Sequence, residues 1–175
     1  PIPGTVVPPW LAEGSAQYMY ENADWDNWDT HRDMILRDRF LNDNLLTLAE
    51  MNTFGKTGIG NESTYNSGYA FCRFIAEHYG SESLKQIMEE LSKPLVFSIH
   101  KALEKVTGIT SEVLYENFKE SLWKNYSDIS DQILKNEVKG KNLLSQGTAN
   151  LHPVWAPDGK QFGYLSNKKS DFFSQ

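Results

Sequence analysis

Tyr65-Asn66-Ser67-Gly68-Tyr69-Ala70-Phe71-Cys72-Arg73-Phe74-Ile75-Ala76-Glu77-His78-Tyr79-Gly80 repeats its apolar and small side chains at the helical period. Tyr65, Gly68, Cys72, Ile75, Ala76 and Tyr79 fall on one stripe, which a helix beginning near Thr64 turns toward a core. Gly80 ends it, because glycine enters the left-handed conformation of a helix C-cap without a Cβ penalty. Similar runs follow at short intervals. Ser81 starts a second helix with Leu84, Ile87, Met88 and Leu91 on one face, and Pro94 stops it. Phe97 to Val106 forms a third, closed by Gly108. Thr110 and Ser111, with Glu112 behind them, open a fourth. Its apolar face is Leu114, Tyr115, Phe118, Leu122 and Trp123; it runs to Tyr126, and a further helix covers Ile129 to about Val138. Short helices joined by short turns predict a mainly α, multi-helical, orthogonally packed domain.

Working toward the N-terminus, Leu45 to Met51 reads as a short helix and His31 to about Phe40 as a longer one, capped by Asp29 or Thr30. Between these helices and their neighbours lie a polar loop, Asn22 to Asp29, with Trp25 and Trp28, and a Gly-rich loop, Thr53 to Asn61. Pro8-Pro9-Trp10-Leu11-Ala12-Glu13-Gly14-Ser15-Ala16-Gln17-Tyr18 is a helix entered through prolines, which the first turn tolerates. It places Glu13 in the opening turn, followed by small residues that let another backbone come close.

Toward the C-terminus the period changes. Leu143-Leu144, and then Asn150 to Asn167, read as strand, turn, strand. In Pro157-Asp158-Gly159 the proline fixes φ, the aspartate bonds locally and the glycine accepts a positive φ. The expected division is a helical domain over residues 1–138, then a linker and hairpin over 139–175. A hairpin alone is marginal in water, so this one either docks or stays mobile.

Composition narrows the function classes. The 175 residues suffice for one domain with a core, and the aromatic content of 13% argues against general disorder. A formal net charge of −6 excludes the basic face a nucleic-acid binder needs. No apolar run reaches membrane-spanning length. The single Cys72 lies in an apolar run and reads as a buried, inert thiol. Gly55-Lys56-Thr57 lacks the first glycine and the preceding strand of a phosphate-binding loop. Asp24, Asp26 and Trp28 break the calcium-loop pattern. His100 and Glu104 share a helix face as an ordinary ion pair.

The Trp10-Leu11-Ala12-Glu13-Gly14-Ser15-Ala16-Gln17-Tyr18 run resembles the second zinc-ligand helix of the gluzincin metallopeptidases, the thermolysin-like and aminopeptidase-like enzymes. By that resemblance Glu13 is a metal ligand. Tyr65-Asn66-Ser67-Gly68 resembles the Tyr-x-x-Gly helix start of the aminopeptidase-type members, which implies a catalytic role for Tyr65: its hydroxyl steadies the oxyanion of the tetrahedral intermediate. Tyr69 is the alternative if the register differs, and Ser67 stands where the family more often has Lys. The resemblance extends over residues 8 to 126. Pro153-Val154-Trp155-Ala156-Pro157-Asp158-Gly159 resembles the Pro-x-Trp-Ser-Pro-Asp-Gly repeat of TolB-like, WD-type β-propellers, with Ala156 in place of Ser.

Gluzincins take their other two ligands and the general base from an H-E-x-x-H helix. His31, His78, His100 and His152 form no such motif, while a catalytic zinc wants three protein ligands and a water. The expectation is a fragment of a larger protein: the parent binds zinc and hydrolyses peptide bonds in a peptide or protein substrate, and this piece alone does not, nor does it hold zinc tightly. The resemblance also implies a periplasmic or extracellular parent, and a homo-oligomer formed through the face left uncovered. The alternative is a non-catalytic helical interaction scaffold attached to a TolB-like propeller, with Trp10, Trp25 and Trp28 exposed on its surface.

Overall fold

The computed structural model describes residues 7–20, 30–54, 61–147 and 149–169. Among them the chain is mainly α, with one short antiparallel hairpin near the C-terminus. The helices are α1 (Pro9–Tyr20), α2 (Thr30–Leu41), α3 (Asn61–Tyr79), α4 (Ser83–Ser92), α5 (Ile99–Thr107) and α6 (Ser111–Lys135); the strands are β1 (Asn150–Trp155) and β2 (Phe162–Ser166). The expected multi-helical fold is therefore observed. Two compact units are resolved, Pro1–Leu134 and Lys135–Gln175.

The helical unit is organised around α3. It buries Ser63, Thr64, Asn66 and Ser67 in its N-terminal turns and Gly68, Cys72, Ile75 and Ala76 of the stripe, with Tyr69, Phe71 and Phe74 buried beside them, while Tyr65 and Tyr79 are half-buried. The helix is thus enclosed on most of its circumference, because its polar residues there are small and uncharged. It ends at Gly80, whose φ of +98° continues no helix. The aromatic centre is Phe71, with Trp10 at 5.0 Å between ring centroids, Phe118 at 5.2 Å and Tyr115 edge-on at 5.4 Å. These rings remove large apolar areas from water and add geometry-specific contact energy.

Four local expectations are corrected. Leu45 to Met51 is not a helix: Leu46 and Leu48 turn inward from irregular chain, and only Glu50–Asn52 forms a 3-10 turn. Thr47 and Glu50 form a reciprocal capping box, in which Glu50 Oε2 accepts from Thr47 N and Thr47 Oγ1, each at 2.8 Å, and Glu50 N donates to Thr47 Oγ1 at 3.2 Å. The box starts the turn only after Thr47, so Leu45 and Leu46 lie outside it, and its bonds hold the Glu50 carboxyl below its usual pKa. The two C-terminal helices are one, since Ser127 and Asp128 are weak helix formers but neither removes a donor nor frees φ. Trp123, placed on the core face, is 60% exposed; Tyr126 is the buried residue of that turn. Glu13 is the fifth residue of α1 and not in its first turn. The loops holding Trp25, Trp28, Asp24, Asp26 and Gly55-Lys56-Thr57 lie outside the described residues.

In the second unit β1 and β2 pair antiparallel, Asn150 with Ser166 and Trp155 with Phe162. The register slips between Leu151 and Val154, where His152 takes φ +52° ahead of Pro153. The turn forms as its residues dictate: Gly159 N donates to Ala156 O at 2.9 Å, Asp158 Oδ1 accepts from Lys160 N at 3.0 Å, and Gly159 has φ +66°.

Candidate functional site

The site is made by a helix crossing. Pro8 O accepts from Leu11 N and Ala12 N, both at 3.1 Å, so α1 starts at the prolines as the sequence implies. The helix then lies against α3 with glycine facing glycine. A Cβ built on Gly14 would stand 2.4 Å from the Gly68 carbonyl carbon and oxygen, and one on Gly68 would stand 2.6 Å from Trp10 O. Only residues without a Cβ permit backbones this close. Trp10, fully buried, anchors the crossing from one end and donates its Nε1–H to Asn52 Oδ1 at 3.2 Å. Cys72 Sγ approaches Trp10 O at 3.9 Å, and burial pushes its thiol pKa far up, consistent with an inert packing role. Trp10 is therefore a core residue and not part of an exposed tryptophan surface.

This crossing brings Glu13 of α1 beside Tyr65 of α3. Both are half-buried, and the Glu13 carboxylate is near enough to act on the ionisation of the Tyr65 phenol. The Tyr65 phenol is raised above its ordinary pKa, first by loss of hydration, then by the neighbouring Glu13 carboxylate, and last by Glu62. Both effects act on the phenolate, which burial and neighbouring anions disfavour. The Tyr65 phenol therefore stays protonated at neutral pH. Tyr69, the register alternative, is 2% exposed and lines a different cavity. Phe54 stacks on Tyr65, with centroids 6.0 Å apart and ring planes 28° from parallel. Sequence reasoning missed Phe54; its position at the edge of a Gly-rich loop carried no periodicity to flag it.

That other cavity, about 240 Å³ between α2, α3 and α6, does not include Glu13 or Tyr65. Its charged rim is engaged internally: Arg73 Nε meets Glu77 Oε1 at 2.7 Å, and Asp33 takes the Tyr126 hydroxyl at 2.9 Å and Arg37 Nη1 at 3.3 Å. His100 does not pair with Glu104 as its spacing suggested. Its Nδ1 lies 2.5 Å from Ser111 Oγ and 3.6 Å from Glu112 Oε1, on the neighbouring α6.

A complete zinc site does not fit the described residues. No group of three or more His, Cys, Asp or Glu side chains is placed to hold a metal among them, so Glu13 would be one ligand of a set otherwise supplied from elsewhere. No described helix is long and apolar enough to cross a membrane. No family model matches this chain, and neither a curated protein nor a solved structure matches it.

Proposed function

We propose that the helical unit is the lobe of a zinc-dependent metallopeptidase-like protein that contributes Glu13 as a metal ligand and Tyr65 as a hydroxyl donor to the reacting carbonyl oxygen. The adjacency of these two side chains carries the reading. They are 52 positions apart in the chain, were singled out by separate motifs, and meet at a glycine crossing that holds their helices at fixed spacing. Glu13 lies beyond the first turn of α1, so complementing the helix dipole does not account for it. With Glu13 engaged as a ligand, the neighbouring Tyr65 hydroxyl would be the donor for developing negative charge, where one donor contributes on the order of 10²–10³ in rate.

The imidazoles and general base must come from residues other than these, so the 175-residue chain alone neither hydrolyses peptides nor holds zinc tightly. The intact protein is proposed to act on peptides or proteins in a periplasmic or extracellular setting and to carry a TolB-like propeller after the helical unit. The test is zinc content and peptide hydrolysis of the full encoded protein, with Glu13→Ala and Tyr65→Phe. Glu13→Ala should lose metal and activity together; Tyr65→Phe should keep the metal and lose turnover. An encoded protein without an H-E-x-x-H helix, or hydrolysis indifferent to Glu13→Ala, refutes the reading.

A second reading, a non-catalytic interaction scaffold, is favoured by one observation. An apolar groove between α2 and α6 exposes Met34, Leu41, Ile133 and Leu134, the sort of patch that partner surfaces or homo-oligomers cover. Full zinc occupancy of the encoded protein separates the two readings in favour of the peptidase.

A further inference from the structure

We infer that the surface shared by α2 and α6 is a docking site for a cationic amphipathic helix of another protein. The inference rests on the apolar groove that favours the scaffold reading and names its partner by charge; it uses neither Glu13 nor Tyr65.

The apolar stripe of α6 that buries Leu114, Phe118, Leu122 and Tyr126 continues at the same spacing to Ile129 and Ile133, which are exposed. α2 packs against this helix through Tyr126, whose hydroxyl meets Asp33 at 2.9 Å and whose ring lies 6.2 Å from Phe40. Two grooves adjoin the contact. One, of about 500 Å³, is lined by Phe40 and Leu41 of α2 and by Trp123, which is 60% exposed. The other, of about 410 Å³, lies between Met34 and Leu41 of α2 and Ile133 and Leu134 near the end of α6. Leu41 lines both, so the exposed apolar side chains form one surface. Its charge is one-sided. Two cations line it and both are engaged, Arg37 by Asp33 at 3.3 Å and Lys119 by Glu116 at 2.7 Å. Asp38, Asp43 and Glu120 line the same grooves and meet no cation among the described residues. Asp43 is fixed by the backbone: it takes φ +52° where Asn44 N donates to Arg39 O at 2.8 Å and closes α2. The unbalanced charge is therefore negative, and its sign selects the occupant. A second copy has a net charge of −6 and brings the same carboxylates to the contact, and a phosphate-bearing surface meets the same repulsion. A helix with an apolar stripe and flanking Lys or Arg fits instead. Its stripe lies in the groove between α2 and α6, one cation stacks on the Trp123 ring, and the others face Asp38, Asp43 and Glu120.

The experiment uses the 175-residue chain and two labelled peptides of about 16 residues, long enough to form a helix on the groove. Both carry the same leucine stripe; one has lysine and the other glutamate at its margins. Fluorescence anisotropy reads their affinities at low and raised salt. The lysine peptide should bind at least about tenfold more tightly than the glutamate peptide, and the margin should narrow as salt rises. Trp123→Ala should weaken the lysine peptide by about fivefold or more, and Asp43→Asn combined with Glu120→Gln by about three- to tenfold. Glu89→Gln, an exposed carboxylate on α4, should leave the affinity unchanged. All these side chains are exposed, and unchanged thermal melts show that the variants fold. Equal affinities of the two peptides, no binding of either, or binding indifferent to the groove variants overturns the inference. So does a dimer in sedimentation that Leu134→Glu dissociates, since the surface then belongs to a second copy. Zinc content and peptide hydrolysis of the encoded protein judge the peptidase and scaffold readings, so failure of this measurement is distinct from failure of either.

Discussion

Replacing Gly14 with alanine tests the crossing on which the site depends. Alanine normally stabilises a helix interior relative to glycine by about 1 kcal/mol, so propensity alone makes Gly14→Ala a stabilising change. The packing reverses the sign. The new Cβ would sit 2.4 Å from the Gly68 carbonyl carbon and oxygen and 2.8 Å from Tyr69 N, whereas ordinary contact begins at 3.4 Å. All three atoms are backbone, so no rotamer change relieves the overlap. The helices must separate by roughly 1 Å, the difference between the Gly14 approach and ordinary contact. That movement loosens Trp10 from Phe71 and slackens the Glu13–Tyr65 contact. Overpacking against an unyielding surface costs about 3 kcal/mol at the upper end of its usual range. Less the propensity gain, the expected net loss is about 2 kcal/mol, or a melting temperature lower by roughly 4–8 °C for a chain of this size. Urea unfolding monitored by circular dichroism reads the free energy, with Ser15→Ala as a neighbouring control expected to lie within about 0.5 kcal/mol of the parent. Gly68→Ala should be destabilising too, and the double variant less than additive, since one separation relieves both overlaps. A Gly14→Ala protein as stable as the parent, or more so, would mean that α1 and α3 do not cross in this way, and the placement of Glu13 beside Tyr65 would fall with it.

Other expectations follow from the same contacts. Glu13→Gln should lower the Tyr65 pKa toward the ordinary phenol value, since it removes one anion that disfavours the phenolate; ultraviolet titration of the phenolate band, with Tyr65→Phe to assign the step, would contradict this if the band did not move. Tyr115 and Tyr126 are raised above the ordinary phenol value, chiefly by burial and, for Tyr126, by Asp33. A raised pKa means that the folded state keeps protons the unfolded state has released, so this stability is fully present below about pH 10 and is lost as pH rises beyond it. Thermal melts between pH 8 and 11 should decline more steeply in the parent than in Tyr126→Phe, and parallel profiles would contradict the assignment. Tyr115→Phe should cost about 1–3 kcal/mol, because its hydroxyl serves the backbone oxygen of Leu46 in the core; urea unfolding that shows no loss would mean that water replaces the phenol there.

Much of the helical unit was legible from periodicity. The stripes of α3 and α4 and the stops at Gly80 and Gly108 depend on local rules, and both glycines take positive φ, +98° and +77°. The failures came where local signals compete. Leu45 to Met51 has helical spacing, yet the Thr47–Glu50 capping box starts a turn only after Thr47, and Leu46 and Leu48 are buried from irregular chain. The further helix expected from Ile129 is part of α6, because continuing the hydrogen-bond ladder through Ser127-Asp128 outweighs a modest propensity loss. Trp123 was assigned inward for its size, while the packing of α6 chose Tyr126, four residues from Leu122 on the same face. At the site, Glu13 and Tyr65 were each visible through a motif and its flanking small residues. Phe54 was not, since an aromatic residue in a loop carries no spacing from which its neighbour could be inferred.

What the amino-acid order determined by itself is the helical class, the hairpin turn at Asp158-Gly159 and the inertness of Cys72, all consequences of interactions within a few residues along the chain. What only the tertiary structure decided is which tyrosine stands by the carboxylate. Tyr65 and Tyr69 lie about one helical turn apart on α3, and a motif register alone left both open; the direction from which α1 arrives, set by two glycines that let the backbones touch, puts Tyr65 near Glu13 and Tyr69 in the wall of another cavity.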